Sequence, residues 1–494
     1  MPKNLLFLFS DQHAQGVSGA YGDPIVQTPN IDRLAHEGLR FDNAYCPSPV
    51  CVPSRMSMLT ARWPHRQACW TNDDVLGSDL PTWPHAMGAA GFDPVLIGRM
   101  HAIGPDQLHG YTSRQIGDHS PNYPGAERQP MGPLAGTNDP YRVSVAKSGP
   151  GMSAYQAKDG DVAQAAVDWL RTTGAAKRAD DTPFCLTVGF MLPHPPYIAD
   201  KAAFDIYRDR IPPPRLGPND MTGAFHKWWR ADRGMERVPE EERDRARAAY
   251  WALVHRLDEM IGQVLTALEE IGAMDDTLIV YASDHGDHLG ERGLWWKHTF
   301  FDESAKVPLI MRLPGVLPAG ETRDQVVNLV DLSQTMLDAM GVAQLPQADG
   351  QSFWPIACDA AQPWDNETFS EYCTDAVPDW TGGRAVQQRM IRSGHWKLCL
   401  YNGEPPLLFD LEADPQEREN RANDPTCAEV LNRLTTRLTN DWSPDHIAAQ
   451  MRERRVEKDL LATWARKTEP TGTHIWRFPT EVNRLDNHSA DTGG

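Results

Sequence analysis

No stretch of this 494-residue chain is apolar for long enough to cross a bilayer, which excludes a helical membrane protein. The start, Met1-Pro2-Lys3-Asn4-Leu5-Leu6-Phe7-Leu8-Phe9-Ser10-Asp11, has a short apolar run and no cleavage-site pattern. It reads as a first strand and not as a signal peptide. Positive charge is in deficit, with 48 Lys and Arg against 67 Asp and Glu and a formal net charge of −19. That balance excludes a nucleic-acid backbone or an anionic membrane surface as partner and disfavours a long polysulfated polymer as substrate. A small anion, or one that carries its own cation, is easier to accommodate. The eight cysteines (46, 51, 69, 185, 358, 373, 399, 427) form no Cys-x-x-Cys pair and no dense framework, so zinc-ribbon and disulfide-scaffold readings are poor. Internal repeats and low-complexity segments are lacking too. The expectation is a cytoplasmic globular protein, its 40% hydrophobic and 23% charged residues ordinary for that class.

What is present alternates. Apolar runs at Asn4–Phe9, Pro94–Gly98, Phe184–Phe190, Thr277–Ala282 and Val307–Leu313 read as buried strands. Between them, helical spacing marks 31–38, 80–91, 159–172, 331–341 and, most clearly, 240–272, with Tyr250, Leu253, Leu257, Ile261, Val264, Leu268 and Ile271 on one stripe. This alternation predicts an α/β fold: a doubly wound, mostly parallel central sheet with helices on both faces. Residues 104–155, rich in Gly, Pro, Ser and Asn, read as loops over a site mouth, and 200–239 as irregular. After about 345–366 the pattern changes to short antiparallel strands (368–372, 384–392, 396–401, 407–411) and then helices near 424–440 and 444–465. The predicted division is a catalytic α/β domain, 1–360, and a smaller C-terminal α+β domain with helical extension and tail, 361–494.

Several predicted strands run out into chemistry. Asp11-Gln12, His194 and Asp284-His285 lie at such ends, where open parallel sheets bind ligands. Carboxylates with an amide oxygen and an imidazole suit a hard divalent cation such as Ca²⁺, Mg²⁺ or Mn²⁺. Arg55, Arg99, His101 and Lys297 accumulate in similar places, and a metal amid such groups suits a tetrahedral oxyanion ester. Cys51, in Cys51-Val52-Pro53-Ser54-Arg55, stands where a helix begins. By itself it reads either as a buried structural thiol or as a reactive centre that handles an anion.

Cys51-Val52-Pro53-Ser54-Arg55 followed by Leu59-Thr60-Ala61-Arg62, with Thr28-Pro29-Asn30-Ile31-Asp32-Arg33-Leu34-Ala35 ahead of it, resembles the sulfatase family of the alkaline phosphatase superfamily. The likeness runs over roughly residues 3–420. Gly98-Arg99-Met100-His101, Ser283-Asp284-His285-Gly286-Asp287-His288 through Lys297, and the tail from Trp442 to Arg455 look most like its cytoplasmic choline sulfatase branch, which borders the phosphonate monoester hydrolases.

The resemblance implies that a formylglycine-generating enzyme converts Cys51 to formylglycine, whose hydrate attacks sulfur and then eliminates sulfate. It implies Asp11, Gln12, Asp284 and His285, together with residue 51, as ligands of one divalent metal, Ca²⁺ first and Mn²⁺ or Mg²⁺ next. Arg55 activates the nucleophile, and His101 resembles the base for elimination. His194 and Lys297 hold sulfate oxygens, one of them protonating the leaving alkoxide. Arg99, where a Lys is usual, and Glu371, placed like an acidic choline contact, would bind substrate, with Trp70 or Tyr111 as an aromatic face. Gln12 and His285 stand where many sulfatases have Asp and Asn. The implied reaction is hydrolysis of a small alkyl or sugar sulfate ester, with phosphonate monoester or phosphodiester hydrolysis by the same residues as the alternative. The arm-like tail suggests a homo-oligomer, dimer or tetramer.

Overall fold

A computed structural model describes residues 2–119, 122–220 and 223–486. Its centre is an eight-stranded sheet. In spatial order the strands are Glu321–Asn328, Leu39–Tyr45, Leu309–Arg312, Thr277–Ser283, Asn4–Asp11, Cys185–Pro193, Pro94–Gly98 and Ser113–Gln115. Leu309–Arg312 runs antiparallel to both neighbours and every other pairing is parallel. The doubly wound expectation is met.

The two faces follow from strand alternation. Leu5, Phe7 and Phe9 enter one core, with Leu278, Val280 and Ala282 of the adjacent strand. Leu6 and Leu8 enter the other, with Ile279 and Tyr281. The first core is closed by the helices Cys51–Thr60 and Leu329–Ala339, through Val52, Met56, Leu59, Leu332 and Met336. The second is closed by Ala154–Trp169 and the 31-residue Glu240–Glu270. Strands buried on both sides carry few polar residues until they end, so their polar ends stand out.

A four-stranded antiparallel sheet follows in chain order, Glu367–Cys373, Gln387–Ser393, Trp396–Tyr401 and Leu407–Asp410, covered by Ala428–Thr439. The chain then forms the helix Pro444–Thr468 and returns to the first part, where Arg484–Leu485 pairs with Gly149–Met152. No helix among the described residues is long and apolar enough to cross a membrane.

Several elements differ from expectation. Leu39–Tyr45 and Glu321–Asn328 are strands that periodicity did not reveal, because Arg40, Asp42, Asn43, Glu321, Thr322 and Asp324 keep one side wet at the sheet edge. The helix expected from Asp159 starts at Ala154, where the Ser153 side chain accepts from Gln156 N. The stretch read as irregular holds two helices, Lys201–Tyr207 and Ala224–Asp232, the first capped by Asp200.

Candidate active site

Parallel register assembles the site. Ser10 pairs with Ser283, so Asp11 and Asp284 leave their strands side by side. On the other flank Asp11 is level with Pro193, next to His194. Gly98 pairs with Gly189. A Cβ on Gly98 would lie 2.2 Å from the Gly189 carbonyl, and Gly98 sits at φ +95. Glycine there lets the backbones close and turns Arg99 inward, its N–H donating to Gly189 O at 2.7 Å. The helix Cys51–Thr60, with every residue buried, points its N-terminus at the Asp11/Asp284 edge. Ser54 Oγ anchors it by donating to the Asp284 carbonyl at 2.6 Å.

Cys51 Sγ lies 3.2 Å from His285 Nε2, 3.4 Å from Lys297 Nζ and 3.8 Å from Asp11 Oδ1. Arg55, one turn along, donates from Nε to Asp284 Oδ2 (2.8 Å) and from Nη2 to Asp11 Oδ2 (3.0 Å). Arg99 Nε bonds Asp11 Oδ2 as well, and Arg99 Nη2 donates to His101 Nδ1 at 2.7 Å. Lys297 Nζ donates to Gln12 Oε1, and Gln12 Nε2 to Asp287 Oδ2 at 2.6 Å. His194 packs its ring 5.8 Å from that of Tyr155 and bonds the Pro195 carbonyl through Nδ1 at 2.7 Å. Thus ten of the eleven expected residues share one neighbourhood or touch a member of it.

The charges settle accordingly. Burial would raise the Asp11 carboxyl, but Arg99, Arg55, His194 and Lys297 outweigh it and hold Asp11 well below the usual carboxylate range. Burial pushes the Cys51 thiol up to about 11, with Asp11 adding to the rise and Lys297 opposing it. Burial keeps His285 and His194 neutral, with Lys297 pushing both the same way.

Asp11, Cys51, Asp284 and His285 each offer a ligand atom, all within 4.8 Å of one another. The donor set fits a divalent cation. The arginines occupy the Oδ2 atoms of both aspartates and leave Asp11 Oδ1 toward Cys51. His285 Nδ1 bonds the Gly286 carbonyl at 3.1 Å, which directs the proton there and the Nε2 lone pair inward. The Gln12 amide oxygen is engaged by Lys297 and has one further lone pair to give.

Glu371 is not brought to this cluster. Its carboxylate is buried and takes His65 Nδ1 at 2.6 Å and His65 N at 3.1 Å, with Arg389 Nε at 3.3 Å. Trp70 packs in a core with Phe369 and Leu398, and Tyr111 lies edge-on to Trp83 and bonds Thr187. These side chains are structural in the folded chain.

Two functional neighbours carried no strand-end signal. Asp118, fully buried, accepts from His101 N (2.8 Å) and Arg114 Nη2 (2.7 Å), with Arg99 Nη1 at 3.3 Å and the buried Lys158 ammonium at 3.6 Å. Asp287, pushed up to about 6 by burial, accepts from Gln12 and Tyr197. Asp287 sits in the Ser283–His288 motif and could have been found there; Asp118 lies in a loop.

An α/β sheet whose carboxyl edge holds two arginine-clamped aspartates, an imidazole and a helix-start residue is the framework of the alkaline phosphatase superfamily. Residues 3–342 match the Sulfatase family model, and residues 290–443 match the model for N-sulphoglucosamine sulphohydrolase, C-terminal. The chain belongs to the sulfatase family. Choline-sulfatase of Rhizobium meliloti (strain 1021) is 33% identical over 442 residues, covering 85% of this chain and 83% of that protein. A phosphonate monoester hydrolase from Silicibacter pomeroyi is 27% identical with a TM-score of 0.70, covering 88% of this chain and 94% of that one. Phosphonate monoester hydrolase of Agrobacterium radiobacter, 24% identical over 91% and 96% of the two chains, has the same fold with a TM-score of 0.72.

Proposed function

We propose that this enzyme hydrolyses a small alkyl or sugar sulfate ester to alcohol and inorganic sulfate. The observation that carries the reading is Cys51 at its helix start, facing Asp11 Oδ1 and His285 Nε2 with Lys297 Nζ alongside. Asp11, Gln12, Asp284 and His285 would hold one divalent ion together with a formylglycine made from Cys51; so oxygen-rich a set favours Ca²⁺, with Mn²⁺ or Mg²⁺ next. When bound, the ion supplies positive charge to the ester oxygens, and the formylglycine supplies the attacking hydroxyl.

The remaining work belongs to the chain's own side chains. Arg55 and Arg99 fix the aspartates by their outer oxygens, which orients the inner ones. Lys297 donates to a non-bridging oxygen of the ester. His194, its Nδ1 committed to Pro195, has Nε2 free to take a proton as the anion arrives and to hand it to the leaving alkoxide. His101, its Nδ1 accepting from Arg99, donates from Nε2 in this arrangement and acts as base for elimination once Arg99 releases Nδ1. We place the enzyme in the cytoplasm, matured by a formylglycine-generating enzyme, with a catalytic part at 1–360 and a smaller one at 361–494.

A second reading, phosphonate monoester or phosphodiester hydrolysis by the same residues, draws support from the likeness to the Silicibacter pomeroyi enzyme. Matched sulfate and phosphonate monoesters with the same leaving alcohol separate the two. The sulfatase reading requires the larger kcat/KM on the sulfate; a large phosphonate preference overturns it.

A further inference from the structure

The helix Pro444–Thr468 has one side fixed to its own chain. Ile447, Met451 and Ala465 are buried, Arg454 donates to the Ala68 carbonyl, and Lys458 pairs with Asp74. Its other side faces water with Val456 (72% exposed), Leu460 (71%), Leu461 (44%) and Trp464 (40%). These are four of the seven large apolar side chains exposed among the described residues. At about 100° per residue, Val456, Leu460 and Trp464 form a strip roughly 80° wide, with exposed Glu453, Glu457 and Lys467 interleaved. An apolar strip of this kind on a surface helix marks an interaction site.

We propose that this face pairs with the same face of a second copy of the chain, helix antiparallel to helix, about a two-fold axis beside Leu460. Charge selects that occupant. Two copies at −19 each repel, yet this helix carries six Lys and Arg against four Asp and Glu, so it is a place where two copies can approach. Antiparallel pairing centred on Leu460 sets Val456 of one copy against Trp464 of the other. It also sets Glu453 against Lys467, and the symmetry repeats each pair. Residues 487–494, Asn-His-Ser-Ala-Asp-Thr-Gly-Gly, contain no large apolar side chain with which the chain could cover the strip itself. A stable interface takes about 1,200 Å² or more in total. Leu461 on one flank and Tyr123, whose ring lies 5.2 Å from that of Trp464, extend the strip toward that size.

The test is the mass of the full-length enzyme by light scattering across a concentration series, for wild type, Leu460→Glu and a chain ending at residue 486. The pairing predicts a wild-type dimer and an unaffected truncated dimer. It predicts a dissociation constant at least about thirtyfold higher for Leu460→Glu, with its melting temperature unchanged. In a Cys358→Ser background, which removes the exposed native thiol, Leu460→Cys should cross-link two chains on oxidation. A monomeric wild type, a dimer indifferent to Leu460→Glu, or a Leu460→Cys dimer that fails to cross-link overturns the proposal. So does a monomer that dimerises only when residues 487–494 are removed, because the strip would then belong to the chain's own end.

Discussion

Replacing Arg55 with Met tests the electrostatic frame of the site. Arg55 is fully buried, with one guanidinium bridging Asp284 Oδ2 at 2.8 Å and Asp11 Oδ2 at 3.0 Å while stacking 4.7 Å from the Phe9 ring centroid. Met keeps much of the packing and removes the charge, leaving two aspartates of zero side-chain exposure with one cation fewer. Breaking such a buried pair from one side costs about 3–5 kcal/mol. Unfolding entropy near 2 cal/mol/K per residue is about 1 kcal/mol/K for a chain of this length, so melting should fall by roughly 3–5 °C if the chain unfolds as a unit. That loss belongs to the metal-free enzyme. A divalent cation between the same carboxylates replaces part of the missing charge, so the melting rise from chelator to excess Ca²⁺ should be larger in Arg55→Met than in wild type. Differential scanning calorimetry in both conditions checks this. Equal melting of variant and wild type in chelator, or a greater deficit with Ca²⁺ than without, would refute the charge argument.

Asp118→Asn should lower kcat by about 10–100-fold with a smaller change in KM, because Asp118 holds the His101 backbone N–H and the far side of the Arg99 guanidinium. Steady-state kinetics on a preparation shown to be folded reads the split, and a rise in KM alone would argue against a positioning role. Asp159 supplies a pH prediction. Burial raises its carboxyl to about 7 although Lys158 and the Met191 and Leu192 N–H groups oppose the rise. Between the unfolded value near 4 and that raised value, the folded state keeps a proton that the unfolded state has lost. Its contribution to stability therefore falls as pH rises through that window, by about 1.4 kcal/mol per pH unit. Melting temperature against pH in Asp159→Asn should lose that downward component, and parallel curves for variant and wild type would contradict it.

The metal-facing residues were legible because parallel strands buried on both faces tolerate polar residues only at their ends. Asp11 and Asp284 stood out at the close of apolar runs, and a register pairing Ser10 with Ser283 brings them together. Lys297 and His194 followed by the same logic. Asp118 was hidden because its role depends on a loop folding back under Arg99, which spacing does not encode. Glu371 misled because a carboxylate in a strand looks the same whether it faces a ligand or, as here, His65 and Arg389. The edge strands Leu39–Tyr45 and Glu321–Asn328 lacked the continuous apolar run that revealed the inner ones.

The central claim is that residue 51 acts as formylglycine in a site built for a divalent ion and a sulfate ester. Mass spectrometry of the peptide spanning residue 51, from a preparation whose sulfate release has been titrated, tests it most directly. The account predicts an aldehyde at position 51, in proportion to the active fraction and absent from an inactive Cys51→Ala enzyme. A fully active preparation in which Cys51 remains a thiol would contradict it.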